Sequence, residues 1–129
     1  MRKRRKRRSH YHTGVHVSAK CDEFKYRSGW EDKLATFMDN DPGVASYSYE
    51  SVIIPYVSNA KTGKTRKYYP DFLVTHADGH RTLVEVKPSR KLSHRVVVKK
   101  LAAARVWCEE NDAVLSVITE VELKQLGCL

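Results

Sequence analysis

Hydrophobic and polar positions recur with two periods along this chain, and each period predicts an element. Trp30, Leu34, Phe37 and Met38 stand at helical spacing. Ser28 occupies the N-cap position and Glu31 the N3 position of an S-x-x-E capping box. The cluster Asp39-Asn40-Asp41-Pro42-Gly43 ends that helix. From Val44 to Val57, β-branched and aromatic residues alternate with polar ones, which predicts a strand, and Pro55 limits it to an edge or a bulge there. Two apolar runs follow, Tyr69 to Val74 and Leu83 to Lys87, with the turn signal Asp78-Gly79 between them, so they read as a hairpin. Val97, Leu101, Ala104 and Val106-Trp107-Cys108 form an imperfect stripe on a long helix that Ser93 caps and that ends near Asn111. Ala113 to Thr119 reads as a buried strand, and Glu120 to Leu126 as a short amphipathic helix. Helix, three strands, helix, strand is an α/β arrangement with a mixed sheet.

The predicted hairpin carries the chemistry. Residues two apart in a strand share a face, so Glu85 and Lys87 point one way while Val84 and Val86 point the other. Pairing of the two runs brings Asp71 alongside Glu85. Adjacent carboxylates repel unless a cation lies between them. A hard divalent cation with oxygen ligands, Mg²⁺ or Mn²⁺, answers that demand, with Asp71 and Glu85 as its ligands. Lys87 then orients the attacking water or stabilises developing charge, in preference to acting as a free amine base. The alternative for these three residues is a surface ion-pair cluster.

Charge sharpens the choice of substrate. The chain has 129 residues, enough for one domain, with 24 Lys and Arg against 15 Asp and Glu, a net charge of +9. Such an excess favours polyanions, and nucleic acid is the commonest of them. Seven of those charges are consecutive, Arg2, Lys3, Arg4, Arg5, Lys6, Arg7 and Arg8, which leaves +2 for the rest. Residues 1–19 show no apolar periodicity and read as a disordered basic arm that contacts phosphates, or else as a solubilising tail or a nuclear import signal. His10, His12 and His16 within it read as weak cations rather than metal chelators. Lys64 and Arg66 belong to a basic turn that is either a solvated tip or a phosphate contact; Arg90 and Lys91 follow Lys87, and Lys100 lies on the cationic side of the long helix. Tyr47 and Tyr49 share a strand face and either stack on bases or fill the core. Three cysteines, odd in number and far apart, argue against a disulfide framework and against structural zinc. No apolar run approaches the ~20 residues of a membrane span, and no secretory signal follows the basic start, so a reducing, cytoplasmic setting is expected.

Pro70-Asp71 followed by Glu85-Val86-Lys87 is the residue pattern of the PD-(D/E)XK nucleases. Its wider context is more specific. Ser28-Gly29-Trp30-Glu31, Asp41-Pro42-Gly43-Val44, Ile54-Pro55-Tyr56, Tyr69-Pro70-Asp71-Phe72-Leu73, Glu85-Val86-Lys87-Pro88 and Lys100-Leu101-Ala102-Ala103-Ala104 resemble, in order, the catalytic N-terminal domain of TnsA-type endonucleases. The resemblance covers roughly residues 27–123. It implies a restriction-endonuclease-like core, α-β-β-β-α-β, with residues 20–129 as a single nuclease domain. It also implies a stand-alone endonuclease acting on DNA, without the C-terminal domain by which TnsA proteins bind partner transposition proteins. The resemblance further implies that Glu31, besides the capping role its position gives it, is an active-site or metal acid, and that the Val86 carbonyl completes the metal site. A junction resolvase and a non-catalytic DNA-binding module with the same fold are the rival readings. One active-site set per chain predicts a nicking monomer or a homodimer that cuts both strands, with Leu123, Leu126, Cys128 and Leu129 as either a self-association surface or part of the chain's own core.

Overall fold

The computed structural model describes residues 13–129. Its centre is a four-stranded mixed sheet in the order β3-β6-β7-β8, formed by β3 (Val44–Tyr49), β6 (Phe72–His76), β7 (Arg81–Val86) and β8 (Ala113–Ile118). β3 and β7 both pair antiparallel with β6, whereas β8 lies parallel to β7. A parallel neighbour needs a long crossover, which α2 (Arg95–Glu110) supplies. With α1 (Gly29–Asp39) ahead of β3, the expected α-β-β-β-α-β order is present, and α3 (Glu120–Gln125) follows it. Two small ribbons are added: β1 (Gly14–His16) with β2 (Phe24–Tyr26) before α1, and β4 (Ile54–Asn59) with β5 (Lys64–Tyr68) between β3 and β6.

Local chemistry sets most element ends. Ser28 caps α1 by accepting the Glu31 N–H at 3.3 Å. The β6–β7 turn runs through Asp78-Gly79, where Gly79 takes φ 91, a left-handed value that glycine adopts without steric cost. Thr119 and Glu122 close a reciprocal capping box on α3.

Four expectations are corrected. The run Val44 to Val57 is two strands in different sheets, because Glu50 turns the chain with φ 49 and donates its N–H to the Asp71 carbonyl at 2.9 Å. Pro55, with no N–H to give, falls in the small β4–β5 ribbon. The long helix is capped by His94 without a side-chain bond, so Ser93 does not cap it. The basic arm does not extend to Ala19, since Gly14–His16 pairs with Phe24–Tyr26. His16, expected to be a tail cation, is buried, with Nδ1 2.8 Å from Asp32 Oδ1 and Nε2 2.7 Å from Asp39 Oδ2. Residues 2–8, His10 and His12 lie outside the described residues.

The sheet is covered on both faces. On one, α1, α3 and the β1–β2 ribbon pack Leu34, Met38, Leu123 and Phe24 against Phe72, Val74, Val84 and Val86. Phe24 stacks on Tyr49 at 4.3 Å, and Tyr47 meets Phe72 edge-on at 5.7 Å, so both tyrosines belong to the core rather than to a base-stacking surface. Leu123 is fully buried and Cys128 packs on the same cluster, while Leu126 and Leu129 stay partly exposed. On the other face, α2 and the β4–β5 hairpin pack Ala104, Cys108, Ile54, Tyr56 and Tyr68 against Leu83. A large apolar side chain buried this way contributes about 1.5–3 kcal/mol, so Phe72 and Leu83, each at most 1% exposed, are major supports of their layers.

Candidate active site

The acids converge where β6 begins and β7 ends. Pro70, fully buried, leads into Asp71 immediately before β6. The register Phe72↔Val84 sets Asp71 opposite Glu85, and the Val86 N–H donates to Asp71 Oδ2 at 2.6 Å. Glu85 accepts the Tyr68 hydroxyl on Oε2 at 2.7 Å, and its Oε1 faces Lys87 Nζ at 3.6 Å. Lys87 is held past the end of β7 by donating its backbone N–H to Ile118 at the end of β8, 2.9 Å away. From the opposite side, Glu31 on α1 accepts the Tyr49 hydroxyl at 2.6 Å and the Arg27 N–H at 3.1 Å. The capping box is therefore half used: Ser28 caps the helix, and the glutamate turns into the cleft. That cleft, about 370 Å³, is lined by Glu31, Asp71, Glu85, Val86 and Lys87 together with Arg27, Lys67, Tyr68 and Lys100.

Burial and like charge dominate the electrostatics. Burial, then the negative charges of Glu85 and Glu31, raise the Asp71 pKa well above the usual carboxylate range, against the opposing pull of the Val86 N–H and Lys87. Burial also raises Glu85, against the Tyr68 hydroxyl, Lys87 and Lys100. Burial and the adjacent carboxylates push both tyrosine hydroxyls upward, which keeps Tyr68 and Tyr49 as donors. The pair is thus short of positive charge, and Lys87 is too far from Glu85 Oε1 for a normal hydrogen bond. The two carboxylates offer oxygen donors, which suit a hard divalent ion rather than a soft one. Among the described residues no group of three His, Cys, Asp or Glu side chains is placed to hold a metal ion by itself.

Six residues singled out in the sequence line this one cleft: Glu31, Asp71, Glu85, Val86, Lys87 and Lys100. Lys64 and Arg66 are exposed on β5, outside it. Arg90 lines a neighbouring groove with Trp30, Pro88 and Glu120, and Lys91 belongs to the same single 3-10 turn, Ser89–Lys91. Tyr68, Arg27 and the bond from Tyr49 to Glu31 were not foreseen, whereas Lys67 is one of the four cations of the basic turn, residues 59–67, read as a phosphate contact or a solvated tip. Tyr68 lies three residues before Asp71, but it reaches Glu85 by belonging to a different sheet, and no sequence period encodes that contact.

A mixed sheet flanked by helices, with acids and a lysine at the end of its central hairpin, defines the restriction-endonuclease-like class. Within that class, the family model described as TnsA-like endonuclease N terminal matches residues 41–120, well over half of the sequence, and the chain belongs to this family. The matched segment contains Tyr68, Asp71, Glu85, Val86, Lys87 and Lys100 and leaves Glu31 outside. The chain is also similar to the head completion nuclease of Enterobacteria phage T4, at 32% identity over 79 residues, 61% of this chain and 52% of that protein. It therefore spans about half the length of this curated relative.

Proposed function

We propose that this protein is a metal-dependent DNA endonuclease that hydrolyses phosphodiester bonds at the Asp71–Glu85–Lys87 cleft. The observation that carries this is the buried pair of carboxylates, set side by side by the β6–β7 register, with Lys87, alone among the described residues, as its ion-pair partner. Asp71, Glu85 and the Val86 carbonyl would hold Mg²⁺ or Mn²⁺, with Glu31 on the far wall of the cleft. Such an ion, when bound, offsets negative charge on the phosphoryl group and lowers the pKa of a nearby water.

The chain's own groups do the rest. The Val86 N–H holds one oxygen of Asp71, and Tyr68 holds one oxygen of Glu85, which restrains both carboxylates at the cleft. The Lys87 ammonium donates to the attacking water or to a phosphoryl oxygen, orienting the first and stabilising charge on the second. Lys100 and Lys67 line the same cleft and favour entry of a phosphate. Arg2–Arg8 add phosphate contacts through counterion release. One active-site set per chain cuts one strand at a time, so a double-strand break requires a second copy.

The test is incubation of the purified protein with supercoiled plasmid, with Mg²⁺ or Mn²⁺ and with EDTA. Nicked or linear product in metal, absent in EDTA and absent in Asp71→Asn, is expected. Equal cleavage in EDTA would overturn the metal site. Binding of DNA with no cleavage under any of these conditions would make the protein a non-catalytic DNA-binding module.

A further inference from the structure

Two acid-free stretches of sequence meet on one face of the molecule. Between Ser51 and Pro70 there are four cations and no acid, and between Val86 and Cys108 seven cations and no acid. The first stretch forms the β4–β5 hairpin and the second contains α2 up to Cys108, short of its last two residues, Glu109 and Glu110, and they pack together on the same side of the sheet. Lys99 joins them by donating to the Ser58 carbonyl at 2.8 Å, and Lys100 Nζ lies 5.6 Å from the Tyr68 ring centroid. Lys61, Lys64, Arg66 and Lys67 on the hairpin, and Arg95 and Arg105 on α2, are exposed, and among the described residues none of the six is in an ion pair. With +7 in the arm and +11 in these stretches, the net +9 leaves −9 for everything else. Asp22, Glu23, Asp32 and Asp39 belong to the opposite layer, built from β1, β2 and α1.

We propose that duplex DNA lies along the α2 and β4–β5 face, with the hairpin as a phosphate-gripping ribbon beside the cleft, and that the α1 face stays clear of it. This rests on the endonuclease reading. Opposite potentials on the two faces orient a polyanion before contact. A two-stranded ribbon has the width to follow a major groove. Its exposed groups are lysine and arginine, which hold backbone position rather than read bases.

The experiment compares two triple variants of the full chain with the same change in net charge. Lys61→Gln/Lys64→Gln/Arg66→Gln strips the hairpin. Lys25→Gln/Lys33→Gln/Lys124→Gln strips exposed cations of β2, α1 and α3. Binding of a labelled 30-bp duplex is measured in EDTA across salt concentration. Each lost phosphate contact makes the slope of log K against log salt shallower by about 0.9, so the hairpin variant should lose up to about 2.7. The α1-face variant should keep the wild-type slope. Equal shifts in the two variants, or a shift only in the second, overturn the proposed face while wild-type binding and cleavage still support the nuclease. Absence of binding and cleavage by the wild type would overturn both.

Discussion

The two faces of the four-stranded sheet bury comparable apolar clusters but place their charges differently. On the α1 face, Asp32 and Asp39 point at His16, and aromatic rings from Phe24, Tyr47, Tyr49 and Phe72 fill the space beneath. On the α2 face, the buried acids among the described residues are Asp71 and Glu85, and Lys67, Lys87 and Lys100 line the cleft with them. The α1 face uses acids to fasten structure; the α2 face concentrates acids at one point and surrounds that point with positive charge. An acid pair left in a basic surrounding attracts both a cation and a polyanion, which are the two things phosphodiester hydrolysis brings together.

If that division is right, chemistry should fail on the α2 face without loss of fold. Asp71→Asn and Glu85→Gln should each lower Mg²⁺-dependent cleavage by at least about 100-fold, since even outer partners of metal ligands cost 10–100-fold. Asp71→Asn should also raise the melting temperature in EDTA, because it removes one of two like charges from a buried site. A lower melting temperature would mean that the carboxylate is a structural support. Lys87→Ala should reduce single-turnover cleavage while leaving Mn²⁺ affinity, read by calorimetry, near wild type; equal loss of both would make the lysine a prop for the metal site. Tyr68→Phe removes only the hydroxyl that holds Glu85 and should weaken Mn²⁺ binding about tenfold. An unchanged affinity would show that Glu85 needs no such positioning.

The smallest effect belongs to the α1 face and to pH. Burial alone would lower the His16 pKa, but the hydrogen bonds to Asp32 and Asp39 outweigh it and raise the pKa above 6.5. A raised histidine contributes stability that is complete below its unfolded pKa and is lost as pH rises through the folded value. Asp39 is shifted the other way: burial would raise it, but bonds from Ser18, Tyr47 and His16 lower it, so its share is lost as pH falls through that depressed value. Thermal unfolding across pH should therefore show a loss of order 1 kcal/mol from mildly acid to alkaline conditions, small because Asp32 is 37% exposed and screened. His16→Gln should flatten that alkaline loss and leave DNA affinity unchanged. A matching loss of DNA binding would break the separation of the two faces.

Much of the site was legible in sequence because it depends on short-range patterns. Alternation put Glu85 and Lys87 on one face, and Asp78-Gly79 fixed the hairpin that carries Asp71 to Glu85. The order of helices and strands along the chain followed from period and turn signals as well. The break at Glu50 was not legible, because the residues on both sides of it alternate like a single strand and only the backbone angle separates them. The β1 strand was missed because three residues are too few for a period to register, and His16 is buried by acids distant in sequence. Tyr68 was missed because its contact joins two sheets. The charge segregation was hidden in a net value: +2 beyond the arm averages a strongly basic face with an acidic remainder.

The polar links of the cleft have one further consequence, for the order of folding. Val86 with Asp71, Tyr68 with Glu85, and Glu31 with Tyr49 are separated by 15, 17 and 18 residues. The entropy of closing such loops rises only with the logarithm of length, about 0.6 kcal/mol per doubling, so all three close at nearly the same modest cost. The parallel pairing of β7 with β8, such as Val86↔Ile118, must wait for α2 to cross over. Local pairings of this kind form ahead of distant ones. The repulsion between Asp71 and Glu85 should therefore be met in the folding transition state. Asp71→Asn should speed refolding in EDTA, as seen in the folding limb of a stopped-flow chevron, whereas a substitution at Val114 on β8 should act mainly on the unfolding limb.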